Sequence, residues 1–383
     1  MNWEFTDEQS AVREMARDFA QRKVLPEAIS IDRESRFPEN LVKEMAELKL
    51  LGMCVPEEFG EARMDMLSYV LALEEISTAC ASTGVIMSVQ NSLACEPLKA
   101  FGNPAQKKKF LEPLALGQKL GCYCLTEPEA GSDAASLKST AVKKGGVYIL
   151  NGTKQFITSG YEADLAVVYA STDISKKSKG ISAFIVDTKS PGFKVAKKER
   201  KLGIRGSSCV QIVLENVEVP AENLLHVEGE GYKVALSTLE IGRIGIAAQS
   251  NGIGSAALEC SIKYAKEREQ FGRPIADLQA IQFMLADMSV RLEAARLLTY
   301  RAALVKSQCK RAALESSQAK LFASEACMKN AWAAVQIHGG YGYVEDYIPE
   351  RLFRDAKICE IYEGTSEAQR LLIAKNTLRA EIL

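Results

Sequence analysis

The runs Val147-Tyr148-Ile149-Leu150, Leu165-Ala166-Val167-Val168-Tyr169, Ile181-Ser182-Ala183-Phe184-Ile185-Val186 and Val210-Gln211-Ile212-Val213-Leu214 decide the fold class of this chain. They are rich in β-branched and aromatic residues, their hydrophobicity tends to a period of two, and glycines and the dipeptide Asn151-Gly152 punctuate them. They predict a small antiparallel β-domain between about residues 120 and 220. On both sides the period lengthens to three and four. Upstream, Val42, Met45 and Leu48, then Leu67, Val70 and Leu71, read as short helices broken at Pro38, Pro56, Pro97 and Pro104, with Thr6 and Gln9 spaced as a capping box. Downstream of Gly231, Ile281, Leu285, Met288, Leu292 and Ala295 mark a helical face. The expected fold class is α+β: an N-terminal helical domain (1–119), a middle antiparallel β-domain (120–229) and a C-terminal helical bundle (230–383).

Length and composition suit a multi-domain enzyme. The 383 residues are 47% hydrophobic, enough to bury a large core, and the formal net charge of −1 gives no overall attraction to nucleic acid or an anionic membrane. No window has the uninterrupted apolar length of a membrane-spanning helix, and Met1-Asn2-Trp3-Glu4-Phe5 lacks a basic, then apolar, signal pattern. A soluble, cytoplasmic location with no membrane insertion is therefore expected. Ten cysteines are scattered among apolar neighbours and read as buried free thiols; Cys122 and Cys124 come close, but not at a zinc-site spacing. His226 and His338 are the only histidines, so no metal site and no nucleophile-histidine triad is expected. Carboxylates or a cofactor must carry the chemistry. The chain has no internal repeat; its one biased tract, 171–205, holds ten Lys or Arg against three acids. It reads as a solvated surface or as an attraction for a phosphate-bearing ligand.

Two segments carry more than packing. In Tyr123-Cys124-Leu125-Thr126-Glu127-Pro128-Glu129-Ala130-Gly131-Ser132-Asp133 an apolar strand enters a turn of hydroxyls and small residues, where a flat ligand can approach the backbone. An ordinary strand-to-loop corner reads the same way. In Lys154-Gln155-Phe156-Ile157-Thr158-Ser159-Gly160 an aromatic stands two residues before a hydroxyl, so both face one side of a strand. The ring can stack on a ligand while the hydroxyl bonds it, or the segment is a plain half-buried strand.

Together these segments resemble the flavin-contacting strands of the acyl-CoA dehydrogenase family, short-chain type. The resemblance continues in order through Leu239-Glu240-Ile241-Gly242-Arg243, Arg268-Glu269-Gln270-Phe271-Gly272, Gln336-Ile337-His338-Gly339-Gly340-Tyr341-Gly342 and Ile361-Tyr362-Glu363-Gly364-Thr365-Ser366-Glu367. It implies FAD as cofactor. Tyr123, Leu125, Thr126, Gly131, Ser132, Phe156 and Thr158 would lie on the flavin-ring side, and Arg268, Phe271, Gln279, Gln336, Gly339, Gly340, Thr365 and Glu367 around the rest of FAD. Arginine suits pyrophosphate because its planar fork bonds two oxygens at once. Since the family shares FAD contacts between subunits, a homotetramer is implied, with acyl-CoA as substrate and an electron-transfer flavoprotein as partner.

By the same resemblance Glu363 is the catalytic base, taking the α-proton of the thioester while FAD accepts hydride from the β-carbon. The Glu363 N–H and a ribityl hydroxyl of FAD would meet the thioester oxygen, and burial would raise the carboxylate's proton affinity. By spacing alone Glu363 is equally a helix-dipole partner, ahead of a helix that Thr365 or Ser366 can cap; Ser366 and Gln369 have capping-box spacing. Other family members place their base immediately before the arginine of the 239–243 segment. Here that residue is Gly242, so Glu363 has no rival. Ser132, Glu240, Arg243, Gln90, Tyr362 and Gly364 are the candidate substrate contacts, although Glu240 and Ile241 depart from the family's usual residues.

The acyl-pocket helix is expected to include Ser82–Leu93. Gln90, Asn91 and Glu96 make it polar, either as pocket groups or as a solvent-facing side. No Lys or Arg occurs between Arg63 and Lys99, which disfavours a dicarboxylic acyl group and leaves short linear, branched or alicyclic ones. Two other readings remain open at this level: a flavin oxidase on the same scaffold, and a non-catalytic assembly protein that kept the fold.

Overall fold

The computed structural model describes residues 4–60, 62–308 and 311–379. The N-terminal Met1-Asn2-Trp3 and Cys309, both read above, lie outside the described residues.

Thr6 opens α1 (Asp7–Phe19) with the expected reciprocal cap: its hydroxyl accepts the Gln9 N–H at 3.2 Å and the Gln9 side chain accepts the Thr6 N–H at 3.0 Å. A π turn (Ala20–Val24) carries the chain on into α2 (Leu25–Glu34). After α3 (Glu39–Glu47) come α4 (Met66–Ala79) and α5 (Ala81–Val89), both almost wholly buried. Pro97 does not break the helix that follows. A second π turn (Gln90–Cys95) joins α5 to α6 (Glu96–Phe101), and Pro97 falls in the first turn of α6, where a missing N–H is tolerated.

The middle of the chain forms β1 (Gly121–Cys124), β2 (Thr140–Lys144), β3 (Val147–Thr158), β4 (Leu165–Ser171), β5 (Ile181–Asp187), β6 (Phe193–Lys198), β7 (Cys209–Pro220) and β8 (Leu224–Leu225). They make one sheet in the order β6-β7-β3-β2-β4-β5-β8, with β1 beside β4. Most neighbours are antiparallel, as expected, but β1 and β2 each meet β4 in parallel. The β2–β3 hairpin gives the long crossover between β1 and β4, and β3 that between β2 and β4. Asn151-Gly152 does not turn the chain either. It lies inside β3, where the register against β7 shifts between Leu150 and Gly152; a Cβ on Gly152 would come within 2.1 Å of the Ser139 hydroxyl. The glycine marks close approach of a neighbouring segment.

The C-terminal bundle contains α7 (Gly231–Glu267), α8 (Gln279–Ser307), α9 (Ala313–His338), α10 (Ile348–Cys359) and α11 (Ser366–Thr377). Helix α7 is buried on nearly every side through its middle, so it carries small residues rather than an amphipathic stripe. One core unites α1–α5 with α7, α8 and α9; a second joins the 94–115 segment to the sheet and the start of α7. The predicted face of α8 is inside at Met288, Leu292 and Ala295. Its opposite face exposes Phe283, Val290, Leu297 and Leu304, each seven residues from the next.

The nine described cysteines are free. Among the described residues, no helix is long and apolar enough to cross a membrane, and no group of His, Cys, Asp and Glu is arranged to hold a metal.

Candidate active site

Glu363 sits in the turn between α10 and α11 with φ +53°, followed by Gly364 at φ +95°. Positive φ costs the glycine nothing but is costly at Glu363 unless the surroundings hold it. Here the Gln369 side chain donates to the carbonyls of Glu363 (3.3 Å) and Gly364 (3.0 Å), and the Lys320 ammonium donates to that of Gly364 at 2.6 Å. The expected Ser366–Gln369 capping box does not form. Thr365 is the N-cap, its hydroxyl accepting the Ala368 N–H at 3.2 Å, and the Ser366 N–H that the box would use goes instead to the Glu360 carbonyl at 2.9 Å.

Glu363 as a whole is half-buried, but both its carboxylate oxygens are buried and hydrogen-bonded to nothing among the described residues. Burial pushes this carboxyl up to about 7, against the pull of the Lys320 and Arg243 charges. The carboxylate lies over Gly242: a Cβ there would fall 1.8 Å from Glu363 Oε2. The two positions at which a base was weighed thus converge on one space, and a side chain at 242 would collide with the carboxylate. One turn along α7, a Cβ on Gly245 would meet Ser88 Oγ at 2.5 Å and Tyr69 Oη at 2.7 Å.

Arg243 is buried, its Nε unpartnered, and its charge is felt by Glu363. Glu240 is differently engaged: its carboxylate faces Lys306 (3.7 Å) and Arg311 (3.5 Å) and accepts the Ala312 N–H at 3.4 Å, binding the α8–α9 connection. Tyr362 donates its hydroxyl to Gln249. Gln90 corrects both sequence readings of its helix. It is neither exposed nor free for a ligand, because its amide donates to the carbonyls of Leu114 (2.8 Å) and Lys119 (3.1 Å) and accepts the Gly121 N–H at 2.9 Å. Asn91 is likewise committed, to Met53 N–H and the Leu50 and Met87 carbonyls. The π turn aims both amides at backbone that the sheet and neighbouring loops leave unpaired.

Beside Glu363 stands Tyr123 of β1, half-buried and packed against the buried Tyr169 with ring centroids 5.0 Å apart, within reach of the Glu363 and Arg243 charges. Leu125 and Thr126 continue from it; the Thr126 carbonyl takes the Gln155 N–H at 2.9 Å. A buried ion pair missed in the sequence, Lys154 to Glu127 at 2.7 Å, ties β3 to this turn, and Lys154 also donates to the Leu125 carbonyl at 3.3 Å. A charged residue at an inward position of an apolar strand was its signal. Gly131 and Ser132 are exposed at the turn. Phe156 has φ +59° in a bulge of β3, which leaves it 63% exposed and on the same side as Thr158. Phe156, Thr158 and Tyr362 line a cavity of about 320 Å³ with Ile358, Ile361 and the 199–209 segment. The first part of that segment, 199–205, is the end of the basic tract read in the sequence as solvated surface or phosphate attraction; Asp355 holds it through the Ile204 N–H at 2.5 Å.

The remaining cofactor candidates gather elsewhere. Arg268, Phe271, Gly339 and Gly340 line a separate cleft of about 520 Å³ with Tyr264, His338 and Tyr341. The Arg268 guanidinium lies 5.5 Å from the Tyr341 ring, His338 stacks on Tyr264 at 4.2 Å, and Phe271 is 91% exposed. Gly339 and Gly340 front open space, with no atom within 4 Å of a built Cβ. Gln279, Gln336 and Glu367 are exposed and Thr365 is half-buried. No residue lines both cavities.

Comparison with known proteins matches three family models in order: acyl-CoA dehydrogenase N-terminal domain at 6–118, middle domain at 122–217 and C-terminal domain at 229–378. The mouse mitochondrial short-chain specific acyl-CoA dehydrogenase is 52% identical over 98% of this chain and 92% of its own length. Butyryl-CoA dehydrogenase from Megasphaera elsdenii superposes with a TM-score of 0.97 at 44% identity, covering 99% of this chain and 100% of that one. A chain from a structure described as the electron transferring flavoprotein of Acidaminococcus fermentans, studied for flavin-based electron bifurcation, superposes at 0.98 with 46% identity, covering 99% and 100%. With the helical, sheet and helical parts in family order, this chain belongs to the acyl-CoA dehydrogenases, a family of FAD-dependent oxidoreductases.

Proposed function

We propose that this chain removes hydrogen from the α and β carbons of a short-chain acyl-CoA, giving the 2-enoyl-CoA, with Glu363 as the base. The observation that carries the reading is a buried carboxylate with no hydrogen-bond partner, poised over a glycine and pushed up to about 7. A base working near neutral pH needs that environment.

The residues present suit FAD. Phe156, Thr158 and Tyr362 offer apolar and hydroxyl contacts to a planar ring, and Arg268 between aromatic side chains, beside two glycines with open space, suits a pyrophosphate and an adenine. Bound there, FAD supplies the hydride acceptor. Glu363 takes the α-proton, and its backbone N–H is the donor for the thioester oxygen. Arg243 balances the carboxylate's charge, while Tyr123 and Leu125 exclude water from one wall.

Two separate cavities for one extended cofactor support a shared site, the Arg268 cleft of one subunit completing the site of another. The apolar stripe Phe283, Val290, Leu297 and Leu304 on α8 supports the homotetramer that this requires. The hydroxyls of Tyr69 and Ser88, one turn along α7 from the Gly242 that Glu363 overlies, leave little depth for an acyl chain and support a short one. The Acidaminococcus structure supports an electron-transfer flavoprotein as acceptor. A soluble compartment completes the reading.

The test is anaerobic bleaching of the flavin by butyryl-, isobutyryl-, glutaryl-, cyclohexanecarboxyl- and octanoyl-CoA. Fastest reduction by a short monocarboxylic thioester is expected; fastest reduction by octanoyl- or glutaryl-CoA would overturn the substrate reading.

A further inference from the structure

Helix α9 buries a charge beside the candidate base. Lys320 is completely buried among small residues, with Ser316, Ser317, Ala319 and Ala323 on the same helix also inside. A lysine is seldom enclosed without a partner, because desolvating its ammonium is expensive. Its Nζ reaches across to the carbonyl of Gly364, the residue immediately after Glu363, at 2.6 Å. The contact therefore falls on a turn whose two residues both have positive φ.

We propose that Lys320 is a positioning residue for the base: it clamps the Glu363–Gly364 turn through the Gly364 carbonyl and its fixed charge biases the Glu363 carboxylate toward ionisation. The clamp and the charge act together. Without the ammonium, among the described residues the Gly364 carbonyl keeps only the Gln369 amide, and Glu363 keeps only Arg243 as a facing cation.

The electrostatic surroundings support this. Facing Glu363 are Arg243 from α7 and Lys320 from α9, while Tyr69 of α4, Tyr123 of β1 and Tyr362 feel the carboxylate's charge. Facing Lys320 are Cys359, Glu360 and Glu363, with Arg243 opposing. Burial lowers Lys320 to about 8, so it still carries its charge at neutral pH. Removing that charge makes the proton on Glu363 harder to lose.

The inference rests on Glu363 being the base, and the experiment separates the two. FAD-loaded Lys320→Met, Lys320→Gln, Lys320→Arg and Glu363→Gln proteins are compared with wild type in two measurements. One is the pH dependence of anaerobic flavin bleaching by butyryl-CoA. The other is an infrared titration of the protonated-carboxyl band lost in Glu363→Gln, which needs no turnover. With Met or Gln at 320 the carboxyl titrates at higher pH, and bleaching at pH about 6 falls about tenfold, as a midpoint moved by about one pH unit gives. At pH about 9 the rate stays within about twofold. Lys320→Arg, keeping the charge, titrates near wild type. Glutamine keeps a donor for Gly364 and decides the charge effect should the methionine variant not fold. Unchanged titration in the neutral variants, or an arginine variant displaced as far as they are, overturns the proposal. Near wild-type bleaching by Glu363→Gln would instead remove the base reading, leaving the infrared titration to judge Lys320.

Discussion

Replacing Glu363 by glutamine should stabilise the protein selectively at alkaline pH. The carboxyl titrates at about 7 in the fold against an ordinary 4.5, because burial disfavours its charged form. A group whose folded value is raised binds its proton more tightly in the native state, so stability falls as pH climbs. The loss begins near the unfolded value of 4.5, is complete above about 7, and is then constant. Between pH about 5 and about 8 the difference is about 2.5 kcal/mol per subunit by linkage. For a chain of this length that is about 3 °C in melting temperature. Glutamine cannot titrate. The melting temperature of Glu363→Gln minus that of wild type, followed by calorimetry in matched buffers, should therefore rise by about 3 °C across that range. A difference independent of pH would refute the picture of an enclosed carboxylate with raised proton affinity.

Gly242→Ala should leave the fold intact but displace the carboxylate, since the new methyl falls 1.8 Å from Glu363 Oε2, and should slow flavin bleaching by about 10²-fold or more in stopped flow. Arg268→Ala should weaken FAD retention by about 2–3 kcal/mol, read as flavin released during equilibrium dialysis; unchanged retention would remove Arg268 from the pyrophosphate site. Val290→Asp with Leu297→Asp, 69% and 39% exposed in the monomer, should shift sedimentation to smaller species and lower FAD content together.

The sequence was legible where local signals and packing agree. The Thr6–Gln9 cap, the inner face of α8 and the β-rich runs all needed only periodicity and short-range hydrogen bonding. Elsewhere a local signal met a tertiary demand that overrode it. Asn151-Gly152 has turn chemistry, but the glycine is there because Ser139 crowds it. Gln90 and Asn91 read as pocket or surface groups because polarity alone does not reveal backbone waiting to be paired. Ser366 and Gln369 have capping-box spacing, but Gln369 is drawn to the Glu363 turn. Lys320 was silent for the same reason: one cation in a helix of small residues gains meaning only when α9 packs beside the turn before α11. Of the candidate site residues, motif alone pointed to Glu363, Gly242, Phe156 and Thr158; that Glu363 lies over Gly242, and that Phe156 and Thr158 share a cavity with Tyr362, required the fold.

Glu363 is proposed as the group that takes the α-proton. The most direct measurement of that role is anaerobic mixing of FAD-loaded Glu363→Gln with butyryl-CoA, following the flavin absorbance, with ligand binding monitored separately. FAD and the thioester should still bind while bleaching slows by at least about 10²–10⁴-fold. Bleaching at close to the wild-type rate would contradict the assignment.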